Sequence, residues 1–114
     1  FVKSVAKKSV SKVYIIKNIE RKVSLADVAK AKGLKLDELI TELEHIVNSG
    51  TRLDINYYIN EHVDEDVLDE VYDYFSEEAE TDSIQEAIDV LGEEDYNERD
   101  IRLVRIKYLS EVGN

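Results

Sequence analysis

Not one proline interrupts the 114 residues of this chain, and only four glycines occur. Average usage would place roughly six prolines in such a length. Proline breaks helices and glycine weakens them, so a chain this poor in both is predicted to be nearly all helix. Its 43% hydrophobic content suffices for one core without covalent staples. Cysteine is absent, which excludes disulfides and thiolate metal sites and fits a reducing compartment. No apolar run approaches the roughly 20 residues of a membrane span, and no signal-peptide pattern is visible. The chain opens on Phe1 and contains no Met, which gives it the look of a piece excised from a longer protein.

The strongest apolar periodicity lies in the second quarter. Leu36, Leu39, Ile40, Leu43, Ile46 and Val47 recur at i, i+3, i+4, i+7, i+10 and i+11, the stripe of an amphipathic helix. Upstream of it, Ser24 with Asp27 fits a capping box, Leu25, Val28 and Ala29 supply a buried edge, and Gly33 supplies the left-handed residue that ends a helix. Residues 24 to 50 therefore have the layout of a helix-turn-helix, closed by Gly50. Before it, Val10, Val13, Ile16, Ile19 and Val23 predict a helix over 9–21 with those residues facing inward, although Val13 to Ile16 would also suit a strand.

After it, Leu53, Ile55 and Tyr57 alternate, so Thr51 to Ile59 leaves room for a short extended connector. Asp64 is expected to cap a helix facing Val67, Leu68, Val71, Tyr72 and Phe75 inward. Thr81 or Asp82 should start the next, with Ile84, Ala87, Ile88 and Leu91 inside and Gly92 at its end. Asn97 should cap the last, whose stripe of Ile101, Val104 and Tyr108 is widened by Leu103, Ile106 and Leu109. The expected fold is all-α, a bundle of about six helices containing a helix-turn-helix. Residues 1–8 form a basic linker and 9–114 one helical domain, divided into a helix-turn-helix part (9–50) and an acidic part (51–114).

Charge is segregated along the chain. Residues 1–35 carry ten Lys/Arg against Glu20 and Asp27, a balance of +8, while residues 36–114 carry five basic residues against 24 acids, a balance of −19. Such asymmetry suggests a basic segment near nucleic acid or an acidic partner, followed by a surface that repels DNA. Solvated helix faces are the plainer reading, and for the acidic part the favoured one. The second helix of the helix-turn-helix offers Asp37, Glu38, Thr41, Glu42 and Glu44 as its exposed positions. A helix entering the major groove should instead carry Arg, Lys, Asn or Gln. The cassette thus looks like a fold element and not a base reader. The candidate DNA contacts are Lys8, Lys12, Lys17, Lys30, Lys32 and Lys35, lysines suited to loose phosphate contact.

Other chemistry is poorly supported. Asp64-Glu65-Asp66 and Glu93-Glu94-Asp95 lack the spacing and central glycine of a calcium loop, and both sit where acids complement a helix dipole. His45 and His62, without cysteine, make no zinc site. They have no nucleophile in a triad-like arrangement, and no glycine-rich phosphate loop is present. Tyr57, Tyr58, Tyr72, Tyr74, Tyr96 and Tyr108 are flanked by acids, which favours packing over base stacking. No catalytic residue, metal site or cofactor site is expected in the chain itself.

Three stretches carry a resemblance: Lys12-Val13-Tyr14-Ile15-Ile16, then Ser24-Leu25-Ala26-Asp27-Val28-Ala29 through Gly33-Leu34, then Ile46-Val47-Asn48-Ser49-Gly50-Thr51. In order and spacing these resemble the C-terminal helix-turn-helix domain of RecQ-type ATP-dependent DNA helicases, in the form found in Bacteroidetes-like bacteria. Val71-Tyr72-Asp73-Tyr74-Phe75 and Asp100 through Leu109 continue the likeness, which covers nearly everything from about Lys7 onward. The resemblance implies a parent enzyme that unwinds DNA 3′ to 5′ at the expense of ATP in recombination, repair and replication. Its ATP, magnesium and zinc sites would lie upstream, and none of their residues has a counterpart here.

The expectation is a non-catalytic accessory domain that docks on the upstream helicase domains of its own chain. It would touch DNA weakly and without sequence preference, away from any membrane, in a bacterial cytoplasm at the nucleoid. The rival is an interaction or dimerisation module without DNA contact, binding a basic protein or itself.

Overall fold

The computed structural model describes residues 12–92 and 94–113, and every described regular element is helical. Residues 12–20 form α1. It is followed by α2 (Leu25–Ala31), α3 (Leu36–Asn48), α4 (Asn56–His62), α5 (Glu65–Asp73), α6 (Ile84–Leu91) and α7 (Glu98–Tyr108). Single π-helical turns extend α5 through Tyr74–Glu78 and α7 through Leu109–Gly113. The all-α bundle with a helix-turn-helix is what the breaker-poor composition dictates. The basic lead-in 1–8, with Lys8, lies outside the described residues.

The α2–α3 pair follows its sequence pattern closely. Leu25, Val28 and Ala29 are buried on α2, and Gly33 takes a positive φ of 69° at the turn. On α3, Leu39, Ile40, Leu43, Ile46 and Val47 are buried, with Leu36 half-buried at the first turn. At about 1.5–3 kcal/mol for each large aliphatic removed from water, α3 is the main apolar contributor to the first half. Ser24 occupies the N-cap of α2, but its hydroxyl makes no cap bond, so the expected capping box is absent. The reciprocal contact forms one helix later, where Glu38 Oε1 accepts from the Lys35 backbone N–H at 2.8 Å.

Three other expectations need correction. On α1 the buried residues are Ile15 and Ile19, while Val13 is 51% exposed and Ile16 only half-buried. The helix is rotated from the predicted face because its i, i+4 pair, not the i, i+3 series, meets the core. The connector after α3 is short, residues 51–55, and a helix absent from the sequence reading begins at Asn56. Buried Leu53 and Ile55 account for the alternation without any strand. Finally, α6 is capped by Ser83, whose Oγ accepts from the Glu86 N–H at 3.1 Å. Neither Thr81 nor Asp82 performs that task. Thr81 braces the loop by donating to Glu86 Oε2.

Helix α7 is the hub and packs against α3, α4, α5 and α6. Asn97 caps it as predicted, its Oδ1 accepting from the Arg99 N–H at 2.7 Å. Ile101, Leu103, Val104 and Ile106 are all buried, so apolar residues occur around most of its circumference. That pattern marks a helix enclosed by others.

Candidate nucleic-acid interface

In a helix-turn-helix that reads DNA, the second helix presents its outer face to the groove. Here one side of the polar surface of α3 is engaged by the chain's own last helix, while Glu38 and His45 remain exposed. Arg102 donates from Nε and Nη2 to both carboxylate oxygens of Glu44, at 3.1 and 2.7 Å, and from Nη2 to Thr41 Oγ1 at 2.9 Å. One turn earlier Arg99 Nε donates to Asp37 at 2.8 Å. Asp37, Thr41 and Glu44 share one side of α3, and all three meet arginines from α7. The expectation that these positions face solvent is therefore corrected for Glu44, whose side chain is only 15% exposed in its pair with Arg102.

The electrostatics agree with that geometry. The hydrogen bond from Arg99 holds the Asp37 carboxyl below its ordinary range, against a smaller opposing effect of burial. Glu44, accepting two bonds, raises the Arg102 guanidinium above its ordinary value. A bidentate arginine–carboxylate pair shielded from water is worth more than an exposed one. Arg105 repeats the theme nearby, bonding the Asp82 carbonyl at 2.6 Å and its carboxylate at 3.1 Å, and so ties the loop before α6 to α7.

The candidate lysines are placed differently. Lys17, Lys30 and Lys35 are exposed, on α1, on the last turn of α2 and at the N-cap of α3. Lys12 and Lys32 are partly covered. Lys12 Nζ lies 3.5 Å from Ser49 Oγ, and Lys32 Nζ sits 4.9 Å from the centroid of the Tyr14 ring. The last contact brings the residue after α2 onto Tyr14 of α1, two positions from Lys12. Among the described residues none of these five lysines forms an ion pair.

Tyrosines serve as ties within the fold. The Tyr57 hydroxyl donates to the Val23 carbonyl, pinning α4 to the turn between α1 and α2. Burial, with help from the Asp54 charge, pushes the phenol up to about 12. Tyr72 donates to Glu111, which also accepts from Lys107, and Tyr58 stacks on His62 with ring centroids 4.1 Å apart. Lys107 also donates to Asn56, closing a network among α4, α5 and α7. Among the described residues no group of three or more His, Asp or Glu could hold a metal ion, and no helix is long and apolar enough to cross a membrane.

Sequence reasoning overlooked Arg99 and Arg102, whose partners lie 58 to 62 residues away in the chain. No local signal announces such pairings.

Fold and charge together define a helix-turn-helix protein in which α3 is tied to α7 on one side and, among the described residues, α1 and α2 carry lysines without ion pairs. More particularly, residues 9–59 match the family model described as RecQ-1-like, helix-turn-helix domain, and that stretch is a RecQ-type helix-turn-helix domain. No curated protein matches the chain.

Proposed function

We propose that this chain is a non-catalytic C-terminal accessory domain of a RecQ-like, ATP-dependent 3′–5′ DNA helicase acting in recombination, repair and replication. It docks on the helicase domains upstream, which hold the ATP, magnesium and zinc sites. DNA is contacted weakly and without sequence preference, through Lys12, Lys17, Lys30, Lys32 and Lys35, with Lys8 adding to the same charge. One observation carries the reading: Asp37, Thr41 and Glu44 of α3 are tied up by Arg99 and Arg102, while among the described residues the lysines of α1 and α2 form no ion pair. Sequence is read from base edges and phosphates are held by cations, so this arrangement favours backbone contact alone.

Fluorescence anisotropy of the 114-residue chain on single-stranded and forked DNA, over a salt series, tests it. If five lysines meet phosphates, log affinity should fall against log salt with a slope on the order of −4.5. Absence of binding at low salt would remove DNA from the proposal.

A second reading is favoured by a different observation. Residues 53–98 contain 18 Asp/Glu and not one Lys or Arg. An interaction module for a basic protein, or for self-association, would use that surface. It predicts a mass that rises with concentration in light scattering, and indifference to charge reversal at Lys30 or Lys32.

A further inference from the structure

A groove of about 530 Å³ opens between α5 and the π-helical turn that follows α7. Leu68, Asp69, Tyr72 and Asp73 line it from α5, and Lys107 and Glu111 from the opposite bank. The two banks differ in how their charges are met. On one, Lys107 Nζ donates to Glu111 at 2.6 Å and to Asn56 at 2.8 Å, and the Tyr72 hydroxyl donates to Glu111 at 2.8 Å. On the other, Asp69 and Asp73 are exposed, and among the described residues neither forms an ion pair. Between them the floor is apolar: Leu68 and Tyr72 are half-buried against the core, and Tyr108 meets the Tyr72 ring edge-on at 5.6 Å.

The fold gains nothing from this pair of carboxylates. Asp69 and Asp73 stand at i and i+4, about 5–6 Å apart at Cβ, where like charges weaken a helix. Asp66 and Glu70 repeat that spacing and are also exposed. The same spacing lets one cation lie between both carboxylates while its stem runs along Leu68 and Tyr72. Lysine and arginine have that form, an apolar stem with a charged head. The groove's charges are three carboxylates against one ammonium, and that ammonium is already held by Glu111, so an anion is disfavoured. At a net charge of −11, two copies of this chain repel each other, which favours a different chain as the occupant. We infer that the groove is a docking site for a basic polypeptide other than this chain, which inserts a lysine or arginine between Asp69 and Asp73. This rests on the second reading above, to which it gives a place and a mode of recognition.

Fluorescence anisotropy of a fluorescein-labelled hexa-arginine peptide with the 114-residue chain at low salt tests the site. Two double substitutions of equal charge separate it from general attraction. Asp69→Asn/Asp73→Asn should weaken binding roughly tenfold, while the thermal midpoint rises by about 1–3 °C as the like-charge pair is relieved. Glu94→Gln/Asp95→Asn, on exposed acids that do not line the groove, should weaken it less than about twofold. In amide NMR spectra the peptide should shift residues 68–73 and 107–111 most. Equal weakening by the two double variants, or shifts spread evenly over residues 53–98, would overturn the inference and leave the second reading standing. A lower midpoint in Asp69→Asn/Asp73→Asn would assign those carboxylates to the fold and overturn it as well. A mass that rises with concentration in the unaltered chain but not in that variant would make a second copy the occupant, against the inference. Failure of the unaltered chain to bind the peptide would overturn the basic-partner reading and the inference together.

Discussion

The basic residues of α1 and α2 and those of α7 live in opposite circumstances. The first group is mostly lysine, lies largely on the surface and forms no ion pair among the described residues. In the second group Arg99, Arg102, Arg105 and Lys107 each engage an acid, and Arg102 and Arg105 are largely sheltered from water. The difference teaches that net charge per segment hides two uses of cations. Planar guanidinium forks fasten one helix to another, while flexible ammonium groups remain available to a partner outside the molecule.

The largest expected effect breaks the fastened side. Arg102→Ala leaves the Glu44 carboxylate sheltered and unpaired and takes a donor from Thr41, so unfolding in urea should show a loss of about 3 kcal/mol. DNA affinity measured well below the new midpoint should barely change. Next comes the free side. Lys17→Glu/Lys30→Glu should weaken binding to forked DNA roughly tenfold and flatten the salt slope by about 2, with a thermal midpoint close to that of the unaltered chain.

Tyr57→Phe sharpens the contrast by loosening the tie between the two regions. Loss of one hydrogen bond to the Val23 carbonyl should cost about 1 kcal/mol. The phenol's pKa is raised by folding, so its contribution is complete below the ordinary value of 10.0 and disappears as pH climbs through about 12. The Phe variant should lack that component of alkaline destabilisation in a circular-dichroism titration. The smallest effect belongs to Arg99→Ala, because both partners are about half exposed. About 0.5 kcal/mol is expected at neutral pH. Folding lowers the Asp37 pKa, so the pair contributes above the ordinary value of 3.8 and fades as pH falls below it. Denaturation curves of variant and unaltered chain should then converge.

Much of the fold could be read from the residues, and for identifiable reasons. The α3 stripe, the left-handed glycines at 33 and 50 and the Asn97 cap are local signals, each satisfied within a few residues of itself. Helix α4 escaped notice because Leu53, Ile55 and Tyr57 alternate like a strand, while the burial that produces the alternation comes from the rest of the bundle. The candidate surface was legible as a charge imbalance. Its limits were not, because the tying of Asp37 and Glu44 depends on arginines some sixty residues downstream. Asp69 and Asp73 gave no sequence cue among so many acids. Only the packing of the chain's last turns beside α5 shows that they border a groove.

The clasp of α7 on α3 has a practical corollary for anyone cutting this protein into pieces. A fragment trimmed at residue 59, where the family match stops, would keep the whole helix-turn-helix yet discard the lid that seals its far side. The side of α3 that meets α7 would lose its cover, and the carboxylates of Asp37 and Glu44 would be stranded without their arginines. The cooperative unit is therefore larger than the recognisable motif inside it.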